Sequence, residues 1–280
     1  WVGQVVPALS REEVVAIDGK TSRRSGKAGA TPLHLVSAFA AQAGVVLGQR
    51  ATAAKSNEKT AIPELLTTLA LEGCIVTIDA MGTQPNIAQA IRDRGADYVL
   101  AVKDNQPTLA GSIRDFVSAF DAAPERTPHR FHQVVEKDHG RLEVRRCHVF
   151  DQLDCLHAPE RWPDLKSFAM ITSERTIGGK TSVERRFYLS NLAPDAERMN
   201  RVVRQHWRVE NSLHWCMDVV FRDDQARTRT DHAAHNLAVL RQLVLNLLRT
   251  APVKRKGGLQ VQRLIAATSD SFRAQLLGLV

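Results

Sequence analysis

The pattern of apolar and polar positions predicts strands and helices in turn along the first part of the chain. A β-branched run from Val14 to Ile17 predicts a buried strand that ends at Asp18, and a loop rich in Ser, Arg and Gly follows it. Apolar runs from Leu33 and from Val45 flank a short Ala/Gly turn and predict a hairpin. Apolar residues at helical spacing then predict a helix over Glu58–Leu71.

A second short strand is also expected to end in an aspartate. The run from Cys74 to Ile78 precedes Asp79, and a helix from Pro85 to Arg94 and a strand from Tyr98 to Val102 follow. This order predicts an α/β fold with a mixed sheet flanked by helices, in which active sites lie at the carboxyl ends of strands. By analogy the order resembles the ribonuclease-H-like fold, whose first and fourth strands hold metal-binding carboxylates side by side.

In the second half of the chain the pattern first predicts strands and then helices. Strand-like runs from about Arg130 to Asn191 are separated by Gly, Pro and Asp turns and predict an inserted antiparallel β-rich region before the last catalytic helix. After Pro194 the pattern is helical, with a basic segment near the end. The expected organisation is residues 1–123 as the first part of the core, 124–193 as the β-rich insertion, 194–250 as the helical completion of the core and 251–280 as a basic tail helix.

Composition and charge narrow the class of protein. The 280 residues are 44% apolar, which is enough for a large core, and 38 Lys and Arg against 30 acidic residues give a net charge of +8. Such an excess favours a polyanionic partner, most commonly nucleic acid, although many proteins are mildly basic without one.

The cysteines and the apolar runs bear on location. The 4 cysteines have no paired short spacing, so neither a zinc ribbon nor a secreted disulfide framework is indicated. We find no apolar run of roughly 20 residues and no signal-peptide pattern, so a soluble, cytoplasmic protein is expected, with no membrane partner. The chain opens with Trp1 and runs almost at once into an apolar strand, which suggests that an amino-terminal piece is missing.

Three acidic residues are candidates for metal-dependent chemistry. Phosphodiester cleavage with two metal ions needs carboxylates from separate elements, because Mg²⁺ prefers oxygen ligands. Asp18 and Asp79 each follow an apolar run, although an aspartate there can also simply cap a turn. Glu210 lies on a predicted helix, where His206 and His214 share its face. A solvated polar stripe is the alternative for that face, and a further alternative is zinc binding by His206, His214, Cys216, His232 and His235.

Longer segments carry a family resemblance. They are AIDGKTSRRS, KSNEKTAIPELL, VTIDAMGTQ, DYVLAVKDNQPTL, EKDHGRLEVRR, RQHWRVENSLHWCMDVVFRDD and NLAVLRQLVLNLLR. In this order, from about Val14 to Arg249, they resemble the DDE transposases of bacterial insertion sequences, in the H-repeat-associated branch. The resemblance implies a ribonuclease-H-like core with a β-rich insertion. It also implies metal ligands at Asp18, Asp79 and Glu210, and two Mg²⁺ ions that Mn²⁺ can replace.

The chain departs from the wider family at one signature. Many relatives have a Tyr, an Arg and a Lys around the glutamate, where this chain has Val203, His206 and Met217. The Arg and Lys are expected to hold phosphate and the DNA end, so the departure puts a hairpin-forming variant of the chemistry in question.

The resemblance implies cleavage at transposon ends by in-line attack of water, followed by attack of the released 3′ hydroxyl on target DNA. The expected partner is double-stranded DNA bound by a homodimer, in the bacterial nucleoid. A truncated or inactive DNA-binding remnant and a ribonuclease-H-like nuclease of general specificity are the alternatives. The DNA-binding candidates are Lys20, Arg23, Arg24, Lys103, Asn105, Gln106, His139, Arg141, Arg204, His206, Arg208 and His214.

Overall fold

The computed structural model describes residues 9–26, 31–52, 58–138, 140–252 and 256–279. The chain divides into two compact units. One unit, here called the split unit, contains Trp1–Leu69 and Trp207–Val280. The other, the central unit, contains Ala70–His206.

Three antiparallel strands form the sheet of the split unit. They are β1 (Val14–Thr21), β2 (His34–Ala40) and β3 (Val45–Ala51), with β2 in the middle. The predicted hairpin of β2 and β3 is confirmed. The expectation that the first strand ends at Asp18 is wrong, because pairing with β2 continues to Thr21. The backbone of a strand can stay paired after its apolar side chains end, so Asp18 lies inside β1.

Helices surround this sheet. They are α1 (Glu58–Thr67), α5 (Trp215–Val219), α6 (Ala233–Thr250), α7 (Leu259–Thr268) and α8 (Asp270–Leu276). Both α1 and α6 pack on β3. The residues before α5 form a π-helical segment over Val209–His214. One buried cluster joins the strands to these helices, and its members are Ala16, Phe39, Val46, Val209, Leu213, Cys216, Met217 and Leu245.

A buried asparagine fixes α6 to the edge of this sheet. The Asn246 side chain accepts from the Val46 N–H at 2.8 Å and donates to the Val46 carbonyl at 2.7 Å. Both residues are buried, so these bonds satisfy backbone groups that water does not reach. The amide therefore acts as a substitute for a neighbouring strand.

The central unit contains a mixed sheet. Its strands are β4 (Ile75–Ile78), β5 (Asp97–Val102), β6 (Arg130–Asp138), β7 (Arg141–Phe150), β8 (Ser167–Ile177) and β9 (Lys180–Ser190). Their order is β4-β5-β9-β8-β7-β6. Only the β4–β5 pair is parallel among these. The predicted α/β class, with a mixed sheet and flanking helices, is thereby confirmed.

The β-rich region continues the sheet of the central unit. Its four strands are antiparallel, as predicted, and β9 pairs directly with β5, with Leu100 opposite Leu189. The region is thus an extension of β4 and β5 and shares their hydrogen-bond ladder. The predicted domain boundaries stay a prediction.

Three helices flank this sheet: α2 (Pro85–Arg92), α3 (Pro107–Ala122) and α4 (Ala196–His206). Helix α3 is not among the predicted elements, although its buried residues recur at helical spacing. Phe116 and Phe120 of α3 pack edge-to-face on Phe150. After Pro194 the chain is helical, as predicted, but α4 ends at His206 and a π-helical segment with Glu210 follows it.

The described part of the chain contains no helix that is both long enough and apolar enough to cross a membrane.

Replacing Asn246 with Leu should lower the free energy of unfolding by about 2–4 kcal/mol, because each buried, unpaired backbone group of Val46 costs about 1–3 kcal/mol. Urea unfolding followed by circular dichroism measures the change. The matched control is Asn236→Leu at an exposed position of α6, which should stay within about 0.5 kcal/mol of the parent. Equal losses in both variants would show that the contact with Val46 has no special weight.

Candidate active site

Asp18 lies on β1 with its side chain only 22% exposed. Its Oδ1 accepts a hydrogen bond from the Gly19 N–H at 2.9 Å. Its Oδ2 lies 3.6 Å from Nδ1 of His214, the last residue of the π-helical segment. A carboxylate with one oxygen on the backbone and the other beside an imidazole has a fixed orientation.

Glu210 is in the π-helical segment, which packs on β1. Val209 and Leu213 are fully buried and anchor the segment, whereas Glu210 is exposed. π-Helical turns are rare and occur frequently at functional sites. The split unit thus brings the segment with Glu210 against the strand with Asp18.

The π-helical segment also overturns one expectation. His206, Glu210 and His214 were expected on one helical face, which assumes an unbroken helix of 3.6 residues per turn. Because the α-helix ends at His206 and the wider turn begins at Val209, that spacing does not hold across the break.

Asp79 directly follows β4 in the central unit, as predicted. Its side chain is 53% exposed, and Lys103 Nζ lies 3.8 Å from its Oδ1. The Asp79 carbonyl accepts from the Gly82 N–H at 3.0 Å, so a tight turn begins at this residue. The carboxylate therefore faces solvent, with an exposed ammonium beside it.

Two of the predicted DNA-binding residues support this turn. The side-chain amide of Asn105 donates to the Ala80 carbonyl, and that of Gln106 donates to the Thr83 carbonyl at 3.0 Å. Thr83 Oγ1 in turn donates to the Ala101 carbonyl at 2.6 Å, on β5. These bonds fix the backbone after Asp79, and contact of Asn105 or Gln106 with DNA stays a prediction.

His206 is a neutral imidazole at pH 7. Burial lowers its pKa to about 4, with the negative charge of Asp79 opposing and the positive charge of Arg186 adding to this effect. Its Nδ1 pairs with Thr77 Oγ1 on β4 at 2.9 Å. His206 therefore supplies no positive charge for phosphate at neutral pH.

The other two signature positions are buried as well. Val203 is 7% exposed, and Met217 is 3% exposed within the cluster that joins β1 to the helices of the split unit. A lysine at position 217 would place its charge in this apolar cluster. The residues that replace the Tyr and the Lys of the family signature are thus apolar side chains in buried positions.

The remaining basic candidates for DNA contact differ in their exposure and in their contacts with carboxylates. Arg23 is 81% exposed and lies 3.3 Å from Asp224. Arg24 and Arg208 are exposed. Lys20 lies between two carboxylates and is only 15% exposed. In the central unit, Arg141 lies 3.7 Å from Glu143, and Arg204 lies 3.4 Å from Glu136. His139 lies outside the described residues.

Sequence reasoning missed Arg186 on β9. Its charge acts on His206, and its guanidinium also binds Tyr188, whose hydroxyl pKa is raised mainly by burial. Glu184 pairs with the same guanidinium at 2.9 Å. The signal was a pair of arginines in a strand-like run, which by itself does not distinguish an exposed residue from one near Asp79.

Carboxylates are the donor type that Mg²⁺ and Mn²⁺ prefer, so Asp18, Asp79 and Glu210 fit a divalent cation by chemistry. Within the described ranges, no group of three or more His, Cys, Asp or Glu side chains is close enough to hold a metal ion. The choice of these three acids as metal ligands stays a prediction.

The match with a family model decides the class of protein. Residues 9–247 match the model described as "Transposase DDE domain". The chain belongs to the DDE transposase family. The predicted resemblance and the ribonuclease-H-like α/β class are confirmed, and the function is that of an insertion-sequence transposase. Membership implies a DNA substrate, nuclease and transposition activity and the use of divalent metal ions.

Curated relatives agree with this membership. The chain is 38% identical over 278 residues to "Putative protein YbfL" of Escherichia coli K12, covering 95% of this chain and 71% of the relative. It is 37% identical to "H repeat-associated putative transposase YhhI" of the same strain, with the same coverage of both chains. A third relative, "Putative transposase YncI" of Escherichia coli O157:H7, is 38% identical over 95% of this chain and 69% of its own length. The predicted H-repeat-associated branch is confirmed.

The neutral state of His206 predicts a pH dependence of stability. Its folded pKa of about 4 lies below the usual value of 6.5, so between these values the unfolded chain takes up a proton that the folded chain does not. Stability is then complete above about pH 6.5 and falls as pH drops toward 4, by about 3 kcal/mol for a shift of this size. His206→Asn should remove this part of the loss and keep a partner for Thr77.

Urea unfolding at pH 7 and pH 4.5 measures the difference between the variant and its parent. His148 has a pKa lowered to about 4 for the same reason, burial, so about half of the histidine-linked loss should remain in the variant. His157→Asn is the control at an exposed position. If His206→Asn kept the full acid sensitivity of its parent, the buried neutral imidazole would be refuted.

Proposed function

We propose that the chain is the catalytic part of an insertion-sequence transposase that cuts transposon ends and joins them to target DNA, with Asp18, Asp79 and Glu210 as its catalytic carboxylates. The main support is the packing of the Glu210 segment on β1, which places His214 beside Asp18. Asp79 is supported by its exposed position after β4 and by Lys103 beside it. All three acids lie within the residues that match the family model.

We propose that Asp18, Asp79 and Glu210 hold Mg²⁺, as two ions, with Mn²⁺ as a substitute. Bound ions of this kind neutralise charge on the attacking and leaving oxygens of a phosphodiester. His214 keeps Asp18 in one orientation, and Asn105 and Gln106 hold the turn that follows Asp79.

The reaction has two displacements at phosphorus. In the first, water attacks the phosphodiester at the transposon end, the bond to the 3′ oxygen breaks, and the proton lost by water balances the one gained by the 3′ hydroxyl. In the second, that hydroxyl attacks a phosphodiester of target DNA, so one bond forms and one breaks. Lys103 has an exposed ammonium and supplies positive charge near Asp79.

DNA binding rests mainly on exposed cations. Arg23, Arg24, Arg208 and Lys103 are exposed and can reach phosphate without breaking a buried contact. Contacts of this type are sensitive to salt and do not read sequence. Arg141, Arg204 and His139 remain candidates of the same class. Because two transposon ends must be held at once, we propose that the working form is a homodimer on DNA.

A second function has a specific observation in its favour. His206 is neutral and Met217 is buried, so neither position carries the positive charge that is expected to hold phosphate in many relatives. A remnant that binds transposon ends without cutting them would need neither cation.

Asp18→Asn, Asp79→Asn and Glu210→Gln should each reduce Mg²⁺-dependent cleavage of the element's terminal repeats by at least about 100-fold, because neutralisation at a metal site is worth several kcal/mol. The substrate is a duplex that carries the element's terminal inverted repeats, which are first identified by sequencing the flanking genomic DNA. Nicking is followed on denaturing gels, and binding is followed by gel shift in Ca²⁺. Binding should stay within about two-fold, since the exchanged groups are isosteric and contact no phosphate.

Asp93→Asn, at an exposed position at the end of α2, is the matched control and should cleave as the parent does. Undiminished cleavage by any of the three site variants would remove that residue from the catalytic set. A parent chain that shifts the repeats but never nicks them would favour the remnant. Cutting that is indifferent to sequence would favour a ribonuclease-H-like nuclease of general specificity.

A further inference from the structure

A set of ion pairs surrounds the end of β1 in the split unit. Three aspartates, Asp218, Asp223 and Asp224, here called the acid clasp, lie at the end of α5 and in the turn that follows it. They bind groups from β1, from the loop after it and from α6. These groups are the Lys20 ammonium, the Ser22 hydroxyl and the Arg23 and Arg241 guanidinium groups.

Lys20 lies inside this set. Its Nζ is 2.7 Å from Oδ1 of Asp218 and 3.5 Å from Oδ1 of Asp224. The Lys20 side chain is 15% exposed, whereas that of its neighbour Arg23 is 81% exposed. The Oδ1 atom of Asp218 is itself buried. For Lys20 to contact DNA phosphate, this lysine would have to leave two carboxylates, one of which has a buried oxygen atom.

The position of Lys20 connects it to the candidate site. Lys20 is two residues after Asp18 on β1, and residues two apart on a strand point to the same face. Asp218 is four residues after His214, whose imidazole lies 3.6 Å from Asp18. Asp18 and Lys20, both on β1, therefore contact His214 and Asp218, respectively. These two partners belong to one continuous segment, which begins with the π-helical residues that include Glu210.

The rest of the acid clasp keeps its carboxylates in place. Ser22 Oγ donates to Asp223 at 2.7 Å, and Arg241 of α6 binds the other oxygen of Asp223. Asp223 is 5% exposed. Arg222 before it has a left-handed backbone with φ of 54°, an uncommon conformation for a residue with a side chain. The turn is thus held in a specific shape that presents Asp223 and Asp224 to β1 and its loop.

We propose that Lys20 is a positioning residue: through the acid clasp it holds the Glu210 segment in register with Asp18, and it makes no contact with DNA phosphate. The inference rests on the proposed role of Asp18 and Glu210. Without the Lys20 ammonium, Asp218 and Asp224 lose the cation that they share and repel each other more strongly, so the chain that continues from the π-helical segment loses one of its attachments to β1.

Salt dependence distinguishes positioning from phosphate contact. Lys20→Met removes the charge but keeps most of the apolar stem, and Arg24→Met removes an exposed charge four residues later. Affinity for a short duplex of arbitrary sequence is measured against salt concentration without metal. Arg24→Met should reduce the slope of log affinity against log salt by about 0.9, the value for one phosphate contact. Lys20→Met should keep the slope of the parent.

Cleavage of the terminal-repeat duplex in Mg²⁺ gives the second measurement. Lys20→Met should lower kcat by about 10–100-fold, as loss of a residue that orients a ligand does, and KM should stay within about two-fold. Lys20→Arg keeps a cation between Asp218 and Asp224 and should recover most of kcat. Asp218→Asn should lower kcat on its own but add little to Lys20→Met, because both changes remove the same contact.

Two results would overturn the inference: a salt slope reduced by about 0.9 in Lys20→Met, or a kcat equal to that of the parent.

If the parent does not cleave, the proposed function fails, and a third measurement still tests the acid clasp. Urea unfolding of Lys20→Met, Asp218→Asn and the double variant should then show losses that are clearly less than additive. Fully additive losses would show that Lys20 and Asp218 act independently.

Discussion

Acidic side chains that must bind a cation repel one another, and a fold has to hold each of them in a fixed orientation before the cation arrives. This chain places a basic group close to one candidate acid in each unit. Lys103 Nζ lies 3.8 Å from Asp79, and His214 Nδ1 lies 3.6 Å from Asp18. At the distance between Lys103 and Asp79, two opposite charges attract by about 1 kcal/mol in water and by more where water is partly excluded.

Local patterns were sufficient for much of the fold. The β2–β3 hairpin, β4 with Asp79 after it, and the four strands of the β-rich region follow from apolar runs and turn residues. The length of β1 does not follow from such a pattern, because its last residues are polar and remain in the strand only through pairing with β2. Helix α3 was missed although its buried residues have helical spacing, so that omission was avoidable.

The candidate acids could be chosen from the sequence, but the exposure and charge of the basic residues near them could not. Lys20 looked like an exposed lysine in a basic loop, yet its partner Asp224 lies 204 residues away along the chain. Asn105 and Gln106 are predicted to contact DNA, and the structure shows in addition that their side chains bond to the turn after Asp79. Burial makes His206 neutral. Each outcome depends on tertiary contacts that residue type and spacing do not encode.

The π-helical segment explains why one signature position cannot be basic here. Val209 and Leu213 anchor the segment in the core, and Met217 then lies in the same buried cluster, together with Ala16 of β1 and Leu245 of α6. Moving an unpaired ammonium into such surroundings costs several kcal/mol. A lysine at this place would therefore loosen the packing that holds the Glu210 segment on β1. The chain keeps that packing, and Arg23, Arg24 and Arg208 are exposed outside the core, where the proposed binding to phosphate would not compete with the packing around Glu210.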